Sequence, residues 1–216
     1  MINMNKRTGL RAENSAARTG SQASVDEGLR AHFRRIYNTM TLGLIITGLT
    51  AFAVSESEAM MQFLFTGAMK WVVIFAPLAF VFFGFNQAVM EKLSPYALQS
   101  LFYVFSAVFG LSLSTIFMVY SGTDIARVFF ITAAMFAATS LYGYTTKRDL
   151  SALGSFLFMG VIGLLIAMVV NIFLQSTMMH FIISVLGVLI YTGLVAFDTQ
   201  NQKNLYLSMG PGETAQ

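Results

Sequence analysis

Residues 152–174 read ALGSFLFMGVIGLLIAMVVNIFL, a run without a single charged side chain. A helix needs about 20 apolar residues to cross the hydrocarbon core of a bilayer, so this run is long enough to form a transmembrane helix. The composition of the whole chain agrees, because 56% of its 216 residues are hydrophobic and only 11% are charged. Soluble domains usually carry about 25% charged residues. The sequence therefore predicts a protein whose partner is the lipid bilayer.

Five further apolar segments repeat this pattern along the chain. The six predicted spans lie at about 36–55, 69–90, 96–120, 124–144, 152–174 and 179–200. Short turns connect them, so the predicted fold class is all-α, a polytopic membrane helical bundle with six transmembrane helices over residues 29–207. Residues 1–28 are polar and lack apolar periodicity, which predicts a disordered cytoplasmic arm. Residues 208–216 are predicted to form a polar tail.

Lysine and arginine positions indicate the orientation of the bundle, because cytoplasmic loops carry the excess of these residues. If six spans alternate, eleven of the thirteen fall on one side: Lys6, Arg7, Arg11, Arg18, Arg30, Arg34, Arg35, Lys92, Lys147, Arg148 and Lys203. Only Lys70 and Arg127 fall on the other. The N-terminus and the end of the sixth span are therefore predicted to be cytoplasmic.

Several kinds of chemistry are excluded by the sequence or find no support in it. Cysteine is absent, which rules out disulfides, thiolate metal sites and cysteine catalysis. His32 and His180 are predicted on opposite sides of the membrane, so no paired-histidine metal site is expected. No hydrolase, phosphate-binding or dinucleotide motif occurs, and no face combines dense positive charge with aromatic residues. We therefore expect no enzyme, no catalytic residue, no cofactor and no nucleic-acid partner.

Asp198 is the most informative polar residue, because it closes the last apolar stretch, residues 191–200, YTGLVAFDTQ. A carboxylate at the centre of a membrane helix costs roughly 2.5–3.5 kcal/mol on insertion scales. Two interpretations are open. Asp198 is either a solvated residue just beyond the end of the span, or a carboxylate that responds to proton concentration or binds a hard cation.

Three stretches resemble the Bax inhibitor-one family, also called the transmembrane Bax-inhibitor-motif proteins. They are GYTTKRDLS at 143–151 with GSFLFMG at 154–160, the segment from Ser94-Pro95 to GLSLS at 110–114, and YTGLVAFDTQNQKNLY at 191–206. The resemblance extends over about residues 33–207. Among the members of the family, those of the bacterial inner membrane resemble this chain most. The resemblance implies a multi-pass protein of the bacterial inner membrane. The alternative is the mitochondrial inner membrane, since the arm contains arginine and serine as presequences do; Glu13, Asp26 and Glu27 speak against it.

The resemblance also implies an activity, a pH-sensitive calcium leak through a seven-helix bundle with a central last helix. In such proteins the aspartate that closes span six pairs with a second aspartate on span seven. Asp198 matches the first aspartate, whereas the second has no counterpart after Tyr206. The expectation is either a shortened product or a member without the last helix. Lys92 stands where some members have an arginine latch for the aspartate pair.

A second function belongs to a different class. Some bacterial members resemble substrates or modulators of a membrane-anchored AAA protease, engaged through a flexible N-terminal arm. The alternative hypothesis is therefore a regulatory interaction protein that binds this protease, or another stress-response partner, through residues 1–28.

Overall fold

The computed structural model describes the backbone of residues 4–209 and the side chains of residues 25–208. Within this range every regular element is a helix, which confirms the all-α prediction. The elements are α1 (Met4–Ser55), α2 (Glu58–Phe65), α3 (Met69–Ala79), a π-helical turn (Phe80–Gly84), α4 (Gln87–Met90), α5 (Pro95–Leu113), α6 (Ile116–Val119), α7 (Gly122–Thr145), α8 (Ser151–Leu174) and α9 (Thr177–Met209).

In the part of the chain that the structure describes, five helical segments are long and apolar enough to cross a membrane: Val25–Ser55, Pro95–Val119, Gly122–Thr145, Ser151–Leu174 and Thr177–Ser208. They coincide with five of the six predicted spans. Their outer surfaces carry exposed large apolar side chains, for example Phe173 and Phe130, as expected of helices that face lipid. The chain is a multi-pass membrane protein.

The predicted second span, 69–90, differs from the prediction. Residues 69–84 of this predicted span form the second member of a pair of helices, Glu58–Phe65 and Met69–Gly84, that is bent by 80° at the short break between them. Gly67 in that break has φ +64, a left-handed conformation that glycine adopts without steric cost. The pair is therefore a broken span or a re-entrant loop rather than one straight helix. Residues 87–90 form the separate short helix α4.

The predicted disordered arm also differs from the structure where its backbone is described. Helix α1 is continuous from Met4 to Ser55, so residues 4–28 are helical. Residues 11–17, RAENSAA, contain several strong helix formers, which a search for apolar periodicity does not register. The side chains of residues 1–24 and the tail residues 210–216 lie outside the described part of the chain. The division into arm, bundle and tail stays a prediction.

The chain separates into two compact units, one ending at Ala126 and one beginning at Arg127. In the first unit α1 packs mainly against α5 through small residues. A Cβ added at Gly110 would overlap the Thr47 carbonyl, and the Thr47 hydroxyl donates to the Ser106 carbonyl at 2.9 Å. Ser106, Gly110 and Ser114 are buried, as their spacing of four predicts for a helix contact.

Pro77 inside α3 is compensated by a neighbouring helix. Proline has no N–H, so the carbonyl of Val73, four residues earlier, loses its helical partner. The Ser112 hydroxyl of α5 donates to this carbonyl. A serine from an adjacent helix thus satisfies a backbone group that hydrocarbon could not solvate.

In the second unit α8 packs along α9. The contact again uses glycines: Gly193 faces Leu157, Gly160 faces Ile190, and Gly154 faces Phe197. The C-terminal end of α7 also meets α9, where Gly143 lies against the Ala196 backbone. The end of α7, the turn 146–150 and the start of α8 therefore converge on the part of α9 that carries Asp198.

Candidate functional site

Asp198 lies where α9 is expected to leave the hydrocarbon. Helix α9 has 33 residues and begins at Thr177. At about 1.5 Å per residue, Asp198 is roughly 32 Å along the axis from Thr177, close to the ~30 Å thickness of a hydrocarbon core. If the first turn of α9 sits at one membrane surface, the carboxylate sits near the opposite one.

One face of α9 near Asp198 is occupied by contacts within the second unit. We call Ala196, Thr199, Gln200 and Lys203 the clamp face, since their spacing of three and four residues places them on one side of the helix. Ala196, Thr199 and Gln200 are only 5–7% exposed, and Lys203 is half-buried. This face packs against the C-terminal end of α7 and the turn 146–150.

Gln200 makes the most specific contacts of the clamp face. Its side-chain oxygen, Oε1, accepts a hydrogen bond from the Leu150 N–H at 2.9 Å. Its side-chain nitrogen, Nε2, donates to the Arg148 carbonyl at 2.7 Å. Both partners are backbone groups of the turn 146–150. Leu150 is also the residue that precedes the first turn of α8, so Gln200 ties α9 to the point where α8 begins.

Thr199 and Lys203 bind α7 on either side of Gln200. The Thr199 hydroxyl lies 3.3 Å from the Ser140 hydroxyl and donates to the Val195 carbonyl at 2.8 Å. The Lys203 ammonium donates to the Tyr144 carbonyl at 2.7 Å and lies 5.3 Å from the centre of the Tyr144 ring. A cation at the C-terminal end of α7 also interacts favourably with the helix dipole.

Asp198 lies on a different face of α9. Two residues correspond to a rotation of about 200° in a helix, so Asp198 points almost opposite to Gln200. Tyr191, Asp198 and Leu205, spaced by seven residues, form a stripe that we call the open face; all three are exposed. Within residues 127–208 the structure gives the Asp198 carboxylate no hydrogen bond and no ion pair.

The turn 146–150 supplies the nearby charged groups, namely Lys147, Arg148 and Asp149, all of them exposed. Hydrogen bonds from the Ser151 side chain and from its backbone N–H, the latter at 2.9 Å, lower the pKa of Asp149. Asp149 therefore stays charged at neutral pH. Its negative charge stands beside the N-terminal end of α8, where the helix dipole favours an anion.

Lys92, the predicted latch cation, occupies the turn between α4 and α5 and is exposed. The neighbouring Glu91 accepts a hydrogen bond from Gln87 at 2.8 Å. Lys92 belongs to the first unit and Asp198 to the second. The latch between them stays a prediction. Among the described side chains, no three histidine, aspartate or glutamate residues come together to hold a metal ion.

Comparison with known proteins identifies the family. Residues 29–210 match the family model described as "Inhibitor of apoptosis-promoting Bax1". The chain belongs to this family, and the predicted resemblance is confirmed. A protein of Rickettsia prowazekii is 40% identical over 92% of this chain and 83% of its own length. A Caulobacter vibrioides protein is 42% identical over 87% of this chain and 78% of its own. "Inner membrane protein YbhL" of Escherichia coli K12 is 43% identical over 82% and 76%. No solved structure matches the chain.

For this member of the Bax inhibitor family, sequence reasoning selected Asp198 but missed the clamp face. The family is one of channel-like membrane proteins and not a known family of enzymes. From the sequence, Gln200 appeared only within the family stretch 191–206, and Lys203 appeared only there and among the basic residues that indicate the orientation. The spacing of Ala196, Thr199, Gln200 and Lys203 carried a signal, since three polar residues on one side of a membrane helix predict partners on that side.

Proposed function

We propose that the chain is a pH-sensitive calcium leak of the bacterial inner membrane, with Asp198 as its proton-sensing group. The supporting observation is the position of this carboxylate. The other acidic residues of the described spans, Asp26, Glu27, Glu58 and Asp124, all lie within the first three residues of a span. Asp198 differs from these four residues because it follows a long apolar stretch. It lies on the open face of α9.

The chemistry of such a sensor follows from the charge of the carboxylate. An ionised carboxylate attracts a cation, either a basic side chain or a hard ion such as calcium, and protonation removes this attraction. In the proposed mechanism, proton binding to Asp198 releases a contact that favours the closed bundle, and calcium then passes. Lys92 is the candidate cation that the family resemblance suggests.

The orientation belongs to the same proposal, and it depends on whether the bent pair of helices crosses the membrane. If the pair crosses the membrane once, lysines and arginines divide eleven to two, as predicted for six spans. If the pair is a re-entrant loop, only five spans remain. Lys70, Lys92, Lys147, Arg148 and Lys203 then fall opposite the N-terminus, and the division is eight to five. The positive-inside rule favours the six-span topology, with Asp198 at the cytoplasmic end of α9.

The inner-membrane location is supported by the relatives. The Escherichia coli relative carries that location in its name, and this chain has several apolar helices of spanning length. A fusion of alkaline phosphatase or a fluorescent protein after residue 208 tests the side of the membrane. We expect fluorescence without phosphatase activity, which marks a cytoplasmic end; the opposite result would overturn the orientation.

Calcium release from reconstituted liposomes tests the leak directly. Purified protein in calcium-loaded vesicles should release calcium faster at acidic than at neutral pH, and Asp198→Asn should remove most of this difference. A wild-type rate equal to that of empty vesicles at every pH would contradict the proposal. These vesicles contain no other protein, so a leak in them cannot come from an interaction partner.

The alternative, regulation through a membrane-anchored protease, makes a different prediction. Deleting residues 1–28 should abolish co-purification with the protease and leave calcium release unchanged. Protease association that persists after the deletion would remove the arm from the hypothesis.

A further inference from the structure

Both polar atoms of the Gln200 carboxamide form hydrogen bonds with the backbone of the turn 146–150. Gln200 is 7% exposed, its oxygen accepts from Leu150 and its nitrogen donates to Arg148. An amide offers a donor and an acceptor on opposite sides of one planar group, so both bonds form only in one orientation of the side chain. The partners are fixed backbone groups, which cannot follow if α9 turns about its axis.

The position of Asp198 depends on that rotation. The two residues are separated by about 200° around α9. A turn of α9 by one residue, about 100°, would carry Asp198 from the open face toward the side of α7 or α8. The buried Gln200 bonds oppose such a turn, because unpaired polar groups in a buried site are costly.

We propose that Gln200 is a positioning residue for Asp198, whose two hydrogen bonds to the turn 146–150 fix the rotation of α9 and keep the carboxylate on the open face. This inference rests on the proposed function, because it assigns Gln200 a part in the pH response of the leak. Gln200 itself does not titrate and touches neither proton nor ion.

The charged and titratable groups around this end of α9 are few in the described chain. The turn 146–150 carries Lys147, Arg148 and Asp149, α7 carries Tyr144, and α9 itself carries Lys203 and Tyr206. The first turn of α8, residues 151–154, has none. A change in pH response after an uncharged substitution of Gln200 therefore reports a changed position of Asp198 rather than a new titrating group.

Three variants test the proposal in the full-length chain. Gln200→Met keeps the length and shape of the side chain and removes both hydrogen bonds. Gln200→Glu keeps the acceptor for Leu150, loses the donor to Arg148 while ionised, and regains it when protonated. Gln202→Met is the matched control, since Gln202 is exposed and two residues further along α9.

Two measurements are made on each variant. Hydrogen exchange of peptides covering residues 146–152 reports the Leu150 N–H, and we expect roughly five- to tenfold faster exchange in Gln200→Met and wild-type exchange in Gln202→Met. Calcium release from liposomes reports the pH response. We expect Gln200→Met to move the midpoint of the pH profile by about one pH unit or to flatten the profile. Gln200→Glu should resemble Gln200→Met at neutral pH and approach wild type at the acidic end.

The possible outcomes distinguish a failure of the positioning role of Gln200 from a failure of the proposed calcium leak. Faster exchange in Gln200→Met with an unchanged pH midpoint would overturn the inference and leave Gln200 as a purely structural residue, even though the leak itself stands. Unchanged exchange in Gln200→Met would also overturn the inference, because it would show that the Gln200 hydrogen bonds do not hold the turn 146–150. A wild-type protein without a pH-dependent leak would refute the proposed function and, with it, the role of Gln200.

Discussion

The clamp face and the open face of α9 differ in their contacts. The clamp face, Ala196, Thr199, Gln200 and Lys203, is buried or half-buried, and each of its polar side chains has a partner on α7, on the turn 146–150 or on α9 itself. The open face carries Asp198 between exposed apolar residues, and within residues 127–208 its carboxylate has no hydrogen bond and no ion pair. Packing and hydrogen bonds are concentrated on one side, and the ionisable group stands on the other.

This contrast shows how a carboxylate can remain able to bind a proton next to a tightly packed helix crossing. A side chain that holds the fold together is satisfied by its contacts and cannot respond to protons without disturbing them. A side chain that responds must be free to change charge. The clamp face should therefore govern stability, whereas the open face should govern the response to pH.

The largest effect on stability is expected at Gly143. A Cβ added there would overlap the Ala196 carbonyl and lie 3.0 Å from the Ala196 Cα, and these are backbone atoms that cannot move aside. We expect Gly143→Ala to cost about 1–3 kcal/mol or more, as overpacking does. Thermal unfolding of the detergent-solubilised protein, followed by size-exclusion chromatography, measures the loss. Gly163→Ala is the control, because a Cβ at Gly163 meets nothing within 4 Å; an equal loss in both variants would contradict the close crossing.

A smaller effect is expected at Lys203. Lys203→Met removes the hydrogen bond to the Tyr144 carbonyl and the contact with the Tyr144 ring while keeping much of the apolar stem. We expect a loss of about 1 kcal/mol, since part of the carbonyl is resolvated by water. Lys147→Met, at an exposed position of the turn, removes the same charge without these contacts and should have little effect in the same unfolding assay.

A pH-dependent effect is expected at Asp149, which is exposed. Its pKa is lowered by hydrogen bonds from Ser151, so its charged form contributes stability above the unfolded-state pKa, about 3.9, and loses it as pH falls through the folded-state pKa. Asp149→Asn should therefore be slightly less stable than wild type at neutral pH and equal to it in strong acid. Melting temperatures of wild type and Asp149→Asn, measured from neutral pH to strong acid, test this prediction. A difference in melting temperature that grows as the pH falls would contradict it.

The smallest effect on stability is expected at Asp198, the proposed proton-sensing residue. Asp198→Asn removes a charge from the open face and breaks no hydrogen bond or ion pair within residues 127–208, so we expect a change within about 0.5 kcal/mol. The same unfolding assay checks it. A loss as large as that of Gly143→Ala would show that Asp198 holds the fold together and would abolish the contrast between the two faces.

The sequence predicted those features that depend on long apolar runs and on the regular spacing of small residues. The five spans and the all-α class follow from the length of the apolar runs, and the family follows from three sequence stretches. The spacing of Ser106, Gly110 and Ser114 indicates a helix contact but does not identify α1 as the partner. The bend between α2 and α3 was missed because a count of apolar residues does not register the left-handed Gly67. The helical residues 4–28 were missed because the polar arm was read for apolar periodicity rather than for helix propensity.

The candidate site was predictable only in part, for a physical reason. Asp198 is visible in the sequence because a carboxylate after a long apolar stretch is rare and costly. Gln200 is not visible in that way, because its partners are backbone groups of Arg148 and Leu150, about 50 residues earlier. Every residue offers a carbonyl and nearly every residue an N–H, so no residue type marks these partners.

We propose the Asp198 carboxylate as the proton sensor of a calcium leak. The most direct test is the ratio of initial calcium release rates at acidic and neutral pH, measured in one batch of liposomes for wild type, Asp198→Glu and Asp198→Asn. Asp198→Glu keeps a titratable carboxyl group and should keep a ratio above one, whereas Asp198→Asn should bring the ratio to that of empty vesicles. A ratio in Asp198→Asn equal to that of wild type would contradict the account.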